Sequence, residues 1–137
     1  METKPLDEIK NKINSIHFTE KFDMIVAIAN GGIIPAAMLN QILLVPVELL
    51  KLSFRDNRQQ PMFDKPQLVG KIDFDIAGKT ILLVEDRVKT GATLHYAKEL
   101  LSGAALVKTF VVNGKADYAL YDENCFTFPW LMGTAKK

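Results

Sequence analysis

Ile81-Leu82-Leu83-Val84-Glu85-Asp86-Arg87-Val88-Lys89-Thr90-Gly91-Ala92-Thr93 reads in three parts. Thr80 to Val84 is a short apolar run, the pattern of a strand buried on both faces. Glu85 and Asp86 end it with two carboxylates. Lys89 to Thr93 then offers small residues and hydroxyls at the start of a helix predicted over Thr90 to Leu101 and ended by Gly103. The first N–H groups of a helix have no internal partner, and with the helix dipole they form an anion site. Thr90 and Thr93 add hydroxyl donors, and Gly91 permits a positive φ or close backbone approach. Ionised Glu85 and Asp86 only accept hydrogen bonds, which suits paired hydroxyls or a hydrated cation. Acceptors beside a phosphate cradle fit a phosphorylated sugar, its diol on the acids and its phosphate on the turn. A plainer alternative is that the acids cap the helix and the threonines are ordinary first-turn residues.

Working outward, Met24 to Ala29 is a second apolar, β-rich run, broken by Asn30-Gly31-Gly32. A helix follows over Ile33 to Leu44, with Pro35 tolerable in its first turn. Leu6, Ile9, Ile13 and Ile16 recur at helical spacing and predict a first helix over residues 5 to 17. Pro46 to Phe54 reads as a strand and residues 55 to 66 as a polar loop. Leu68 to Phe74 alternates as an edge strand or hairpin arm would, and Ala104 to Val112 is a further strand. From Asn113 onward the chain reads as irregular. This alternation predicts one α/β domain over residues 1 to 137, with a mostly parallel central sheet flanked by helices. Ligands of such sheets bind at the carboxyl ends of the strands, near a topological switch point. Segments 30 to 32 and 85 to 93 each follow an apolar strand, so both fall on that rim.

Composition narrows the partners. The 137 residues carry a net charge of +1, which gives no global reason to expect nucleic acid or an anionic membrane. No apolar stretch approaches the roughly 18 residues of a membrane span, and the N-terminus lacks a signal-peptide pattern. The single Cys125 suits a reducing compartment. A soluble, cytoplasmic protein is expected. His17 and His95 lack the spacing of metal ligands, so no protein-built metal site is expected. Cys125 has no recognisable His or Asp context for a nucleophile.

The segment Val84 to Thr93, VEDRVKTGAT, resembles the ribose-diphosphate signature of type I phosphoribosyltransferases: an apolar strand, two acids, two variable positions, then a residue before Thr-Gly-x-Thr. It is not a Walker loop, which needs Gly-Lys-Ser/Thr. The resemblance implies that Glu85 and Asp86 hold the ribose hydroxyls of phosphoribosyl diphosphate (PRPP). It implies that Lys89, Thr90, Gly91, Ala92 and Thr93 hold the 5′-phosphate, and that Glu85, Asp86 and Lys89 are the catalytic candidates. Residues 22 to 39 resemble the family's first strand and diphosphate loop, which puts Asn30, Gly31 and Gly32 on the diphosphate. In that loop the residue before the Gly-Gly pair often follows a strained or cis peptide. Taken alone, Asn-Gly-Gly is also an ordinary tight turn.

Residues 55 to 66 stand where the family carries a mobile lid, with Arg55 and Arg58 as its cations; a solvated loop is the alternative. The C-terminal part resembles the small hood of purine-type members. There a Lys approaches the exocyclic oxygen of the base and an aromatic stacks on it, here Lys115 and Phe126, with Pro129-Trp130 following. Lys115 would otherwise be a surface residue and Phe126 part of a satellite core. The implied partners are PRPP and a nucleobase, of which a 6-oxopurine suits the hood best. The implied cofactor is Mg²⁺, held mainly through PRPP, and the implied state is a homodimer or homotetramer.

The chain departs from the family pattern at three positions. Asn30 stands where Arg or Lys is common, Lys89 where an Asp often precedes Thr-Gly, and Arg87 where the residue is commonly apolar. An exposed position or a subunit contact would accommodate Arg87. A charged Lys89 adds phosphate affinity but takes no proton from a base. Three readings therefore stay open: transfer of the phosphoribosyl group to a base with release of diphosphate, a non-catalytic PRPP- or nucleotide-binding regulatory protein on the same fold, and an unrelated α/β domain.

Overall fold

The computed structural model describes residues 2–53 and 67–132. In chain order its elements are α1 (Leu6–Asn14), β1 (Met24–Ala29), α2 (Ile33–Leu43), β2 (Val47–Ser53), β3 (Gln67–Leu68), β4 (Thr80–Arg87), α3 (Ala92–Leu100), β5 (Leu106–Asn113) and β6 (Tyr118–Tyr121). The strands form one sheet in the order β3-β2-β1-β4-β5-β6. All neighbours are parallel except β3, which runs antiparallel to β2. The α/β fold with a parallel sheet is as the alternating apolar runs predict.

Strand residues alternate between two cores, as the two-residue period of a strand requires. Ile25, Ala27, Leu82, Val84, Phe110 and Val112 face α1 and α2, meeting Ile9, Ile13, Ala36 and Leu39. Met24, Val26, Ile28, Ile81, Leu83 and Val111 face α3, meeting Leu94, Ala97 and Leu101. β4 is the central member: Ile81 to Val84 are all fully buried. Burying each such side chain contributes roughly 1.5–3 kcal/mol.

The chain leaves β1 through α2 toward β2, and leaves β4 through α3 toward β5, in opposite directions along the sheet. β1 and β4 are paired neighbours, Ala27 opposite Val84. The switch point therefore lies between their carboxyl ends, where ligands of open α/β sheets bind.

Several predicted boundaries shift for identifiable reasons. The first helix ends at Asn14 rather than near residue 17, because the Ser15 hydroxyl donates to the Asn11 carbonyl at 2.8 Å. The third helix starts at Ala92, after Gly91 turns the chain at φ 88°. The alternating run 68 to 74 pairs only at Gln67–Leu68, since Gly70 adopts φ 82° and turns the chain from the ladder. Ile72, Phe74 and Ile76 still pack on the α3-side core, so the alternation reports burial without a strand partner. The segment after Asn113, read as irregular, contains β6. The Asp117 carboxylate accepts from the Thr109 amide at 2.9 Å and the Thr109 hydroxyl at 3.1 Å, holding the start of β6 beside β5. Among the described residues no helix is long and apolar enough to cross a membrane.

The turn from β1 into α2 fits against β4 with no room to spare. A Cβ on Gly32 would stand 2.3 Å from the Val84 carbonyl oxygen and 2.9 Å from that of Ile28. Both are backbone atoms and cannot swing aside. Gly32→Ala is expected to destabilise the fold by about 2–3 kcal/mol, the scale of overpacking a tight contact. A lowered urea midpoint checks it; an unchanged midpoint would mean the turn is looser than this geometry.

Candidate functional site

Strand β4 carries the site's acids at its carboxyl end. It runs three residues past the apolar core, so Glu85, Asp86 and Arg87 stay in the sheet, with Arg87 opposite Asn113 of β5. The chain then turns, and Gly91 is the last residue before α3. The Thr90 hydroxyl accepts from the Ala92 amide at 3.2 Å, which shapes the turn. Among the described residues, the amides of Lys89, Thr90, Gly91 and Thr93 donate to no protein acceptor. Free amides at a helix N-terminus can accept an anion. Glu85 to Leu94 line a cavity of about 480 Å³.

The second loop comes from β1. The Ala29–Asn30 peptide is cis. Gly32 donates its amide to Ile28 and Ile33 donates to Asn30. The amides of Asn30 and Gly31 have no protein acceptor among the described residues. A Cβ on Gly31 would lie 2.7 Å from both oxygens and the carboxyl carbon of Asp86. The structure thus brings Gly31 directly against Asp86 and joins segments 30 to 32 and 85 to 93 at one rim.

The two acids differ in environment. Burial pushes the Glu85 carboxyl up to about 8; the neighbouring Asp86 charge adds to this, while the Asp86 amide and the Arg87 charge oppose it. The Asp86 amide donates to Glu85 Oε1 at 2.9 Å, and the Arg87 amide donates to Asp86 Oδ1 at 2.7 Å. Without a ligand, Glu85 therefore holds a proton near neutral pH.

A smaller cavity of about 250 Å³ adjoins this one and shares Val88 to Gly91 with it. Gly114, Lys115 and Asp122 complete its lining. Lys115 is exposed and pairs with Asp122 at 2.8 Å, a contact that holds its ammonium above the ordinary lysine value. Lys115 thus lines a cavity beside the turn at Val88 to Gly91.

Phe126 does not lie open to the site. Its ring is 2% exposed and packs edge-on against Tyr121 and Phe128, so it offers no face to a base. The stacking role is corrected: Phe126 belongs to the α1/α2-side core, anchoring the hood from within. Lys4 closes over the same rings at 4.9 and 5.3 Å while pairing with Glu123 at 2.9 Å. Arg55 and Arg58 fall outside the described residues. His95 is exposed beside Glu99, and Cys125 is exposed and free.

Two further residues escaped the motif reading. Asn113, almost fully buried, donates to the carbonyls of Glu123 at 3.1 Å and Asn124 at 3.4 Å, and accepts from the Glu123 amide at 3.0 Å. Arg87 donates to the Phe126 carbonyl at 3.2 Å. The only sequence signal for Arg87 was its departure from an apolar position, and Asn113 gave none beyond ending a strand.

The phosphoribosyl transferase domain model matches residues 3–130. The chain belongs to that family. Among curated relatives, the xanthine-guanine phosphoribosyltransferase of Chromohalobacter salexigens is 36% identical over 83% of this chain and 72% of its own. That of Idiomarina loihiensis is 28% identical over 82% and 73%. A purine phosphoribosyltransferase of Pyrococcus horikoshii has the same fold, with a TM-score of 0.81 at 24% identity over 99% of this chain and 97% of that one. As a member of that family, the chain is a transferase enzyme.

The state of Glu85 gives a pH test on the ligand-free protein. Its folded value is raised to about 8 from 4.5, so the folded state binds the extra proton between these values. Stability then falls as pH rises through this window, by at most about 1.4 kcal/mol per pH unit, and the penalty is absent below it. Glu85→Gln removes the penalty. The variant is expected to match the wild type near pH 4.5 and to exceed it by a few kcal/mol at pH 8 to 9. Urea unfolding across that range checks this, and parallel curves for the two proteins would refute the buried, protonated carboxyl.

Proposed function

We propose that this phosphoribosyltransferase moves the 5-phosphoribosyl group of PRPP to a purine base, a 6-oxopurine by preference, and releases diphosphate. One observation carries the reading: amides of two loops that have no protein acceptor among the described residues, those of Asn30 and Gly31 and those of Lys89, Thr90, Gly91 and Thr93, lie by the Glu85–Asp86 pair at the switch point of the sheet. PRPP has an anion at each end and a diol between, and the spacing of these features follows that order. The 5′-phosphate sits on the Lys89 to Thr93 turn. The ribose hydroxyls donate to Glu85 and Asp86. The diphosphate takes the Asn30 and Gly31 amides, which stabilise its charge as it leaves.

In the reaction a base nitrogen bonds to C1 of the ribose while the bond from C1 to the diphosphate oxygen breaks. The ring proton of the base leaves to water. Lys89 supplies positive charge toward the phosphates. Lys115, beside the smaller cavity, meets the exocyclic oxygen of a 6-oxopurine and would exchange Asp122 for it. The donor set suits Mg²⁺ carried in on PRPP, because Mg²⁺ takes one or two carboxylates together with phosphates and waters. Mg²⁺ would neutralise charge on the diphosphate. A cytoplasmic homodimer or homotetramer fits this role, and the uncharged outer face of α2, with Ile34, Ile42 and Leu44 exposed, suits such assembly.

Lys89 and Asn30 favour one other reading, a module that binds PRPP or a nucleotide without turnover. Incubation with Mg²⁺, PRPP and each of hypoxanthine, guanine, xanthine, adenine, uracil and orotate separates the two, with diphosphate release as the readout. Release with the 6-oxopurines is expected, and Asp86→Asn is expected to weaken PRPP binding about tenfold. Saturable PRPP binding without release on any base would leave the binding module. Absent binding, unaffected by Asp86→Asn, would exclude both.

A further inference from the structure

Arg87 is a half-buried cation with no carboxylate within ion-pair distance among the described residues. A guanidinium in that position needs other partners. It finds them in the hood. Its Nη2 donates to the Phe126 carbonyl at 3.2 Å, and its guanidinium lies 4.6 Å over the Phe128 ring. Phe128 in turn stacks on Trp130, centroids 5.0 Å apart and planes 3° from parallel. Asn113, directly across the ladder from Arg87, bonds the same stretch of hood at Glu123 and Asn124. The carboxyl ends of β4 and β5 thus each send one polar side chain into residues 123 to 128. Arg87 is covalently next to Asp86, whereas the hood carries Asp122 into the cavity that Lys115 lines.

We propose that Arg87 is a positioning residue that pins the hood beside the base cavity, so that recognition of the nucleobase, and not of PRPP, depends on it. This rests on the function proposed above. Arg87 acts through the Phe126 carbonyl and the Phe128 face. An arginine suits both contacts at once, since its planar group donates in-plane and stacks on its face. An apolar residue here would leave the Phe126 carbonyl without this donor.

The test compares wild type, Arg87→Met and Arg87→Lys. Met keeps an unbranched stem against Phe128 and removes the donor. Lys keeps a donor but not the planar stack. Hydrogen exchange of the hood amides at 123 to 128 is expected to quicken about tenfold in Arg87→Met and about threefold in Arg87→Lys. The β4 amides at 81 to 84 are expected to hold their wild-type rates. In diphosphate release, the KM for the base is expected to rise about tenfold in Arg87→Met while the KM for PRPP stays within about twofold. Wild-type hood exchange in both variants, or equal rises in the two KM values, overturns the proposal. If the wild type transfers to no base, the proposed function fails, and the hydrogen exchange still decides whether Arg87 pins the hood.

Discussion

The turn out of β1 closes against the end of β4 because no side chain stands at Gly31 or Gly32. Gly32 is pressed against the Val84 carbonyl, and Gly31 against the Asp86 carboxylate. A side chain at either position would drive the turn out of β1 away from the end of β4. The contact decides more than packing. It places two amides that have no protein acceptor among the described residues next to the acids of another loop, and so joins two separate turns into a single rim. The arrangement of the sheet brings the strands together; the glycines bring the loops together.

From that contact the site divides by charge. Amides without a protein acceptor among the described residues lie by a carboxylate pair that is itself unequal. Glu85 is buried and keeps its proton, pushed up to about 8, while the Asp86 Oδ1 is engaged by the Arg87 amide. Hydroxyls and a cation arriving with a ligand would favour the charged form of Glu85, because opposite charge and hydrogen bonds to a carboxylate both lower its pKa. The hood is held by separate means: from below by Arg87 and Asn113, and from its outer side by Lys4 on Glu123 and the aromatic rings. The turn after β4 and the hood are thus fixed by different interactions, although the cavities they line share Val88 to Gly91.

Much of this was legible in the sequence, and the pattern of success has a physical basis. The run from Ile81 to Thr93 shows itself because a doubly buried strand, two acids and a helix start must be contiguous to work. The same holds for Met24 to Gly32. Elements that depend on distant partners were harder to read. β6 is four residues long and exists because Asp117 bonds Thr109. The run 68 to 74 alternates like a strand but meets no neighbour after Gly70 turns away. Phe126 resembled a base-stacking ring, yet Tyr121 and Phe128 enclose it. Arg87 stood out only as a departure, and its meaning required seeing the hood fold back over it.

The most direct test of the joined rim is a crystal structure of the protein with PRPP and Mg²⁺. The 5′-phosphate is expected on the amides of Lys89 to Thr93, the ribose hydroxyls on Glu85 and Asp86, and the diphosphate on the amides of Asn30 and Gly31. A PRPP molecule held by only one of the two loops, or bound away from the carboxyl ends of β1 and β4, would contradict it.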